Sequence, residues 1–198
     1  MVAEVFMDRF IDIHTHHPTD EVITPTAAGI HPWYAALHEV SEVESEIAAA
    51  EVVGEIGLDM VCNVEFERQL SIFREQLSLA ERYDKPVILH CVRAFEPMMK
   101  VLAEFHLRAV IFHGFIGSPE QAKRAIERGY FLSFGERTFR SAKTIEALRQ
   151  TPINQIFIET DNNHTPIAEI YEKVANLRGV TVEQLTTVTK GNLERILG

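Results

Sequence analysis

Arg9-Phe10-Ile11-Asp12-Ile13-His14-Thr15-His16 is the stretch around which the chain is organised. A short apolar run ends in a His-x-His pair. Residues two apart on an extended strand share a face, so both imidazoles point the same way and can hold one metal ion between two nitrogens. Alone, such a pair is more often two histidines in a surface turn.

The pattern recurs. Val52-Val53-Gly54 runs into Glu55, Pro86-Val87-Ile88-Leu89 into His90, Ala109-Val110-Ile111-Phe112 into His113, and Gln155-Ile156-Phe157-Ile158 into Glu159-Thr160-Asp161. Continuous apolar runs are expected of strands buried on both faces of a parallel sheet. Each finishes in a side chain that can ligate a metal. Unpaired carboxylates and imidazoles are costly at the ends of buried strands, and a cation compensates them better than scattered hydrogen bonds.

The 198 residues, 46% hydrophobic and 24% charged, suffice for one sizeable core. Nineteen basic against 29 acidic residues give a net charge of −10. Such a field repels polyanions and argues against a broad nucleic-acid-binding surface, while leaving room for a small phosphate site that carries its own cations. Cys62 and Cys91 form neither a disulfide framework nor a zinc pattern. The opening residues, Met1 to Asp8, lack the basic region of a secretory signal, and no apolar stretch approaches a membrane span. A cytoplasmic location is the expectation.

Outward from the first strand, Pro18-Thr19-Asp20 and Pro25 break any regular element, leaving no room for a full helix before a short strand that ends at His31. Ser41 with Glu44 reads as a capping box opening a helix to about Ala50. Phe66, Leu70, Phe73, Leu77 and Ala80 recur at spacings of three and four, one face of a helix over about 65–83. A helix is expected from near Pro97, and Ser118-Pro119-Glu120-Gln121 opens another that Gly129 stops. Helices over about 143–150 and 166–177 follow, and Thr181 with Gln184 caps the last one.

Strand and helix alternate almost throughout. The expectation is an α/β chain, a single domain over residues 1–198, with about seven parallel strands. A barrel places all strand C-termini on one face, which an open doubly wound sheet does not do, so the converging ligands favour a TIM-type (β/α) barrel, incomplete or distorted.

If His14, His16, Glu55, His90, His113 and Asp161 meet there, four imidazoles and two carboxylates suit one or two divalent ions, Zn, Mn or Fe in type, with two ions, Mg among the candidates, the working expectation. Two dications against two carboxylates leave the site at about +2, a cationic pit for a phosphate ester in an acidic molecule. Two close ions would activate a water toward nucleophilic attack, with Asp161 placed to orient or deprotonate it. Asp161 and Glu55 are the candidate catalytic carboxylates.

The chain resembles the TatD family of metal-dependent deoxyribonucleases, within the amidohydrolase-like TIM barrels. The matching stretches are Phe10 to His16, Gly29-Ile30-His31-Pro32, Val53 to Asp59, Leu89-His90-Cys91, Phe112 to Ser118, Ile158 to Asp161 and Gly191-Asn192-Leu193. The resemblance implies that His14, His16 and Asp161 hold one metal, that His90 and His113 hold a second, and that Glu55 bridges them. It implies hydrolysis of phosphodiesters in DNA, often from the 3′ end. Its partners would then be DNA ends or a small phosphodiester, with no membrane; the oligomeric state stays open. Rival expectations are hydrolysis of a small ester, lactone or amide, and a non-catalytic metal-binding barrel.

Three departures stand out. Residues 18–26 are too few for the helix and strand that the family usually has there. Val92 stands where the family has a basic residue, with Arg93 one position later. The segment after Asp161 is short. His31, Arg93 and Arg137, each just beyond a strand, are the candidate substrate-binding residues. Asp59 is expected to hold a ligand imidazole from behind, and Cys91 to be a small buried hydrophobe. Glu159 is left between a structural ion pair and a functional role. Trp33 is left between a rim position and base stacking, and His17, His38, His106 and His164 are expected at the surface.

Overall fold

The computed structural model describes residues 9–198. Residues 1–8, which bear on the expected absence of a leader, lie outside the described part.

The strands are β1 (Phe10–Ile11), β2 (Val22–Ile23), β3 (Ala27–Ala28), β4 (Val52–Asp59), β5 (Val87–Val92), β6 (Val110–Phe112), β7 (Phe131–Phe134) and β8 (Ile156–Ile158). The helices are α1 (Glu44–Ala49), α2 (Phe66–Arg82), α3 (Phe95–Leu102), α4 (Pro119–Ile126), α5 (Ala142–Gln150), α6 (Ile167–Arg178) and α7 (Val182–Leu197). From β3 to β8 the strands pair in sequence order, every pair parallel. β1 pairs in parallel with β2. The Ile13 N–H donates to the Ile158 carbonyl at 3.1 Å, and a parallel bridge joins Thr15 to Asp161, so β8 returns beside β1. The strands thus form a distorted α/β barrel.

The distortion sits where the sequence is short. Residues 22–28 are one extended segment broken at Pro25: its first part pairs with β1 (Phe10 opposite Val22), its last part with β4 (Ala27 opposite Val52). The Thr26 carbonyl accepts from the N–H groups of Glu51 and Val52, both at 3.0 Å, and the Thr26 N–H donates to Glu51 Oε2 at 2.8 Å. One stave therefore spans the gap between β1 and β4. Seven staves were expected; eight strand segments result because this one is counted twice.

Side chains alternate across the staves. Val53, Leu89, Phe112, Leu132 and Ile156 join the larger apolar cluster with the helices, while Ile11, Ile88, Ile111 and Phe157 form a separate one. Among the described residues, the only helix contributing to the second cluster is α7, through Leu193 and Ile196. That places it inside the barrel, closed from below by α7. Asn192 Nδ2 ties α7 down by donating to the Ile156 carbonyl at 2.9 Å, which gives the Gly191-Asn192-Leu193 stretch a structural role. Gly191 is helical, and a Cβ there meets nothing within 4 Å. Gly191→Ala is accordingly expected to stabilise the fold by about 0.5–1 kcal/mol, read as a raised midpoint in urea unfolding.

The capping boxes at Ser118–Gln121 and Thr181–Gln184 both form. Ser41–Glu44 does not: a 3₁₀ turn over Val40–Glu42 occupies that position, Glu42 accepts from the Glu39 N–H, and α1 starts only after it. α3 begins at Phe95, before Pro97, because a proline is tolerated in the first turn where its missing N–H has no partner to lose. Among the described residues, no helix is long and apolar enough to cross a membrane.

Candidate metal centre

Glu55 lies in β4, where the register against β5 shifts between Val53 and Ile56. Its carboxylate is surrounded by five imidazoles. Oε1 is 2.6 Å from His113 Nε2, 2.7 Å from His90 Nδ1 and 3.5 Å from His31 Nε2. Oε2 is 3.3 Å from His14 Nε2 and 3.8 Å from His16 Nε2. Asp161 Oδ1 stands beyond these last two rings, 3.9 Å from His14 Nε2 and 3.5 Å from His16 Nε2. The donor atoms fall into overlapping triads, His14–His16–Asp161, His14–Glu55–His113 and His31–Glu55–His90, each with its atoms within 4.8 Å of one another.

Strand ends do the placing. His14 and His16 follow β1, His90 lies in β5, and His113 and Asp161 follow β6 and β8. The His16 N–H donates to the Asp161 carbonyl and the Asp161 N–H to the His14 carbonyl, both at 3.0 Å, locking the two chain segments together. Asp161 is left-handed, at φ 55°, a conformation that Asp tolerates better than most residues.

Two further carboxylates stand behind the rings. Asp59 Oδ2 accepts from Trp33 Nε1 at 2.7 Å and faces His90 Nε2 at 3.1 Å, while Oδ1 accepts the backbone N–H of Val61 at 2.8 Å. Glu159 Oε1 lies 3.4 Å from His113 Nδ1. Asp59 is thus where it was expected. Glu159 stands behind His113, and its donor atoms come within 4.8 Å of those of Asp161 and His113. Each of these rings stands between two carboxylates, which only accept: with the proton of the neutral ring on the outward nitrogen of His90 and of His113, the inward nitrogen would present a lone pair to Glu55. Lone pairs facing each other below 3 Å repel unless a cation intervenes or the ring takes a second proton. His14 Nε2 is also enclosed without a hydrogen-bond partner, although the Glu55 carboxylate is near. An orphaned buried nitrogen and inward lone pairs around one carboxylate are what a pair of divalent ions would satisfy, and the imidazole–carboxylate donor set suits Zn, Mn or Fe.

The proton equilibria reflect the crowding. Burial works to raise Glu55, but the imidazoles of His113, His14, His31 and His90 hold it well below the usual carboxylate range. Burial works to lower His113, yet Glu159 and Glu55 hold it well above an ordinary imidazole. The same pairing, against burial, keeps Glu159 low. Asp12 was not singled out in the sequence. Burial pushes its carboxyl up to about 6 although it accepts from the Thr160 N–H and hydroxyl at 3.0 and 2.6 Å, fixing the turn that leads into Asp161. Cys91, partly exposed, has a thiol that burial pushes up to about 12, in keeping with an unreactive packing residue.

The centre opens into a cleft of about 1000 Å³. Trp33, Tyr34 and Val61 form an apolar side; Arg137, in the 3₁₀ turn after β7, stands on another. Arg137 is the only lysine or arginine lining the cleft among the described residues. Arg93 is not brought there. One residue past β5 it turns left-handed, at φ 52°, and lies exposed, while Val92 lines the wall. His31 does line the cleft, as do His14, His16, His90 and His113. His17, His38, His106 and His164 are exposed, His17 pairing with Asn162 Oδ1 at 3.0 Å.

The family model for TatD-related DNase matches residues 15–198. The chain belongs to the TatD family. Among its relatives is YjjV, an uncharacterized metal-dependent hydrolase of Escherichia coli K12, 37% identical over 152 residues. That match covers 71% of this chain and 59% of YjjV. Human deoxyribonuclease TATDN3 is 30% identical over 156 residues, covering 71% of this chain and 57% of its own. The TatD chain described here therefore spans a little under two thirds of the length of these two curated relatives. The crystal structure of YjjV superposes with a TM-score of 0.80 at 28% identity, covering 90% of this chain and 77% of that one.

Proposed function

We propose that this TatD-family chain is a metal-dependent phosphodiesterase that hydrolyses DNA from its ends, acting as a single domain. The observation that carries the reading is the ring of five imidazoles around the Glu55 carboxylate at the C-terminal ends of the strands. His14, His16 and Asp161 would hold one ion, His90 and His113 the other, and Glu55 both. When bound, such a pair supplies an activated water and stabilises the charge developing on the attacking and leaving oxygens.

The chain's own residues do the rest. Asp161 orients the incoming water and can take its proton. Asp59 and Glu159 hold the rings of His90 and His113 in one tautomer. Arg137 offers guanidinium N–H groups to the phosphate oxygens. The human relative's name, deoxyribonuclease, supports DNA as substrate. One observation favours a smaller phosphodiester instead: with Arg137 alone and a net charge of −10, little of the surface attracts a polyanion beyond the scissile phosphate.

Metal analysis is expected to find two divalent ions per chain. Exhaustive chelation should abolish nucleotide release from single-stranded DNA, and added Mn or Mg should restore it. Turnover confined to small diesters, esters or amides would replace the DNA reading with a small-molecule one. Full loading with no turnover on any substrate would leave a non-catalytic barrel.

A further inference from the structure

His31 shares a triad with Glu55 and His90, so proximity alone would make it a third ligand to the second ion. The hydrogen bonds around the two rings, which meet edge to face at 4.4 Å between centroids, say otherwise.

His31 Nδ1 accepts the backbone N–H of Trp33 at 3.2 Å, closing the turn that starts at Pro32. An accepting Nδ1 is unprotonated, so in the neutral ring the proton is on Nε2. Nε2 is the nitrogen facing inward, 3.5 Å from Glu55 Oε1. His90 is arranged the other way. Its Nε2 faces Asp59 Oδ2, a pure acceptor that also takes the indole N–H of Trp33, so with an ion bound on the Glu55 side the proton would be on the outward nitrogen and the inward Nδ1 would be the lone pair. One residue holds both arrangements: the main chain of Trp33 fixes His31, and its side chain fixes the carboxylate behind His90.

We propose that Trp33 sorts these neighbouring imidazoles into opposite roles, His90 a metal ligand and His31 a hydrogen-bond donor that meets an oxygen of the substrate phosphate as charge develops on it. The proposal rests on the two-metal hydrolase reading above. His31 lines the cleft, and its Nε2–H lies 3.5 Å from Glu55 Oε1, long enough to be shared with an acceptor bound in the cleft. No proton leaves His31 in this role, because a fixed N–H dipole aimed at a developing negative charge is enough. Trp33 is a positioning residue, and its exposed ring is free to contact whatever the cleft holds.

The test uses the zinc-loaded full chain. Imidazole ¹⁵N NMR should show the His31 proton on Nε2 with neither nitrogen coordinated, and His90 coordinated through Nδ1. His31→Ala should keep two zinc ions with affinities within about twofold, while kcat on a diester falls about 100-fold with little change in KM. His31→Gln, which retains an N–H donor, should recover part of that loss. Trp33→Phe keeps the main-chain bond to His31 but removes the indole donor, so it should weaken the second zinc about tenfold. A coordinated His31, an ion lost in His31→Gln, an unchanged kcat in His31→Ala or an unchanged second zinc in Trp33→Phe would each overturn the assignment. A wild-type chain that binds fewer than two ions would refute the underlying two-metal reading, a separate failure visible before any variant is made.

Discussion

Glu55→Ala is expected to remove both ions and to lower hydrolysis by at least about 10³-fold, at or beyond the upper end of what removal of one transition-state donor costs. Among the described residues, Glu55 is the one carboxylate within 4 Å of His14, His16, His31, His90 and His113 together, its two oxygens divided between the rings on either side. On the two-ion reading, removing it would leave each ion without its shared ligand, and it leaves imidazoles facing imidazoles. His90 Nδ1 and His113 Nε2 are 3.5 Å apart, with only Glu55 Oε1 close to both. Asp161→Ala should act on one side only, because Asp161 Oδ1 reaches His14 and His16, and should remove one ion. Metal content by elemental analysis, with circular dichroism to confirm folding, separates the two. Two ions retained in Glu55→Ala would sink the shared-ligand arrangement.

The convergence of the candidate ligands was legible because each stands just beyond an apolar run, and runs of that kind are strands whose ends the barrel collects. His14, His90, His113 and Asp161 needed no tertiary information beyond that. What stood behind them was harder to read. Asp59 and His90 are 31 residues apart, Trp33 and Asp59 26, and Glu159 and His113 46. No local period records such pairings. Asp12 is hidden for another reason: it sits between Ile11 and Ile13 in the very stretch that was read for its histidines, and its partner Thr160 is 148 residues away.

The segment 18–26 was read correctly as too short for a strand–helix unit, but not for what it does. Nothing in Val22-Ile23-Thr24-Pro25-Thr26-Ala27-Ala28 says that its two ends pair with different neighbours. The consequence for the cleft is direct, since Thr24, Pro25 and Thr26 form part of its wall. Arg93 shows the converse limit: its place after a strand suggested the cleft, and one left-handed residue turned it away.

Gly57→Ala is expected to destabilise the fold by about 3 kcal/mol or more and to weaken the metal centre with it. Gly57 pairs with His90 across β4 and β5, at a φ of +145°. A Cβ there would lie 2.1 Å from the His90 carbonyl oxygen and about 3 Å from its carbon and nitrogen. Those are backbone atoms of a buried strand, so no side-chain rotation relieves the clash and the strands must part. They would part between the two residues whose side chains meet at 2.7 Å in the centre, Glu55 Oε1 and His90 Nδ1. A loss of that size lowers the melting temperature by about 6–12 °C in a domain of this length. Because the displaced residue is a proposed metal ligand, added zinc should also raise the melting temperature less in the variant than in the wild type. Thermal unfolding with and without zinc reads both effects. A G57A protein that melts within about 2 °C of the wild type, with the same zinc-dependent rise, would show that β4 and β5 can separate there without disturbing His90.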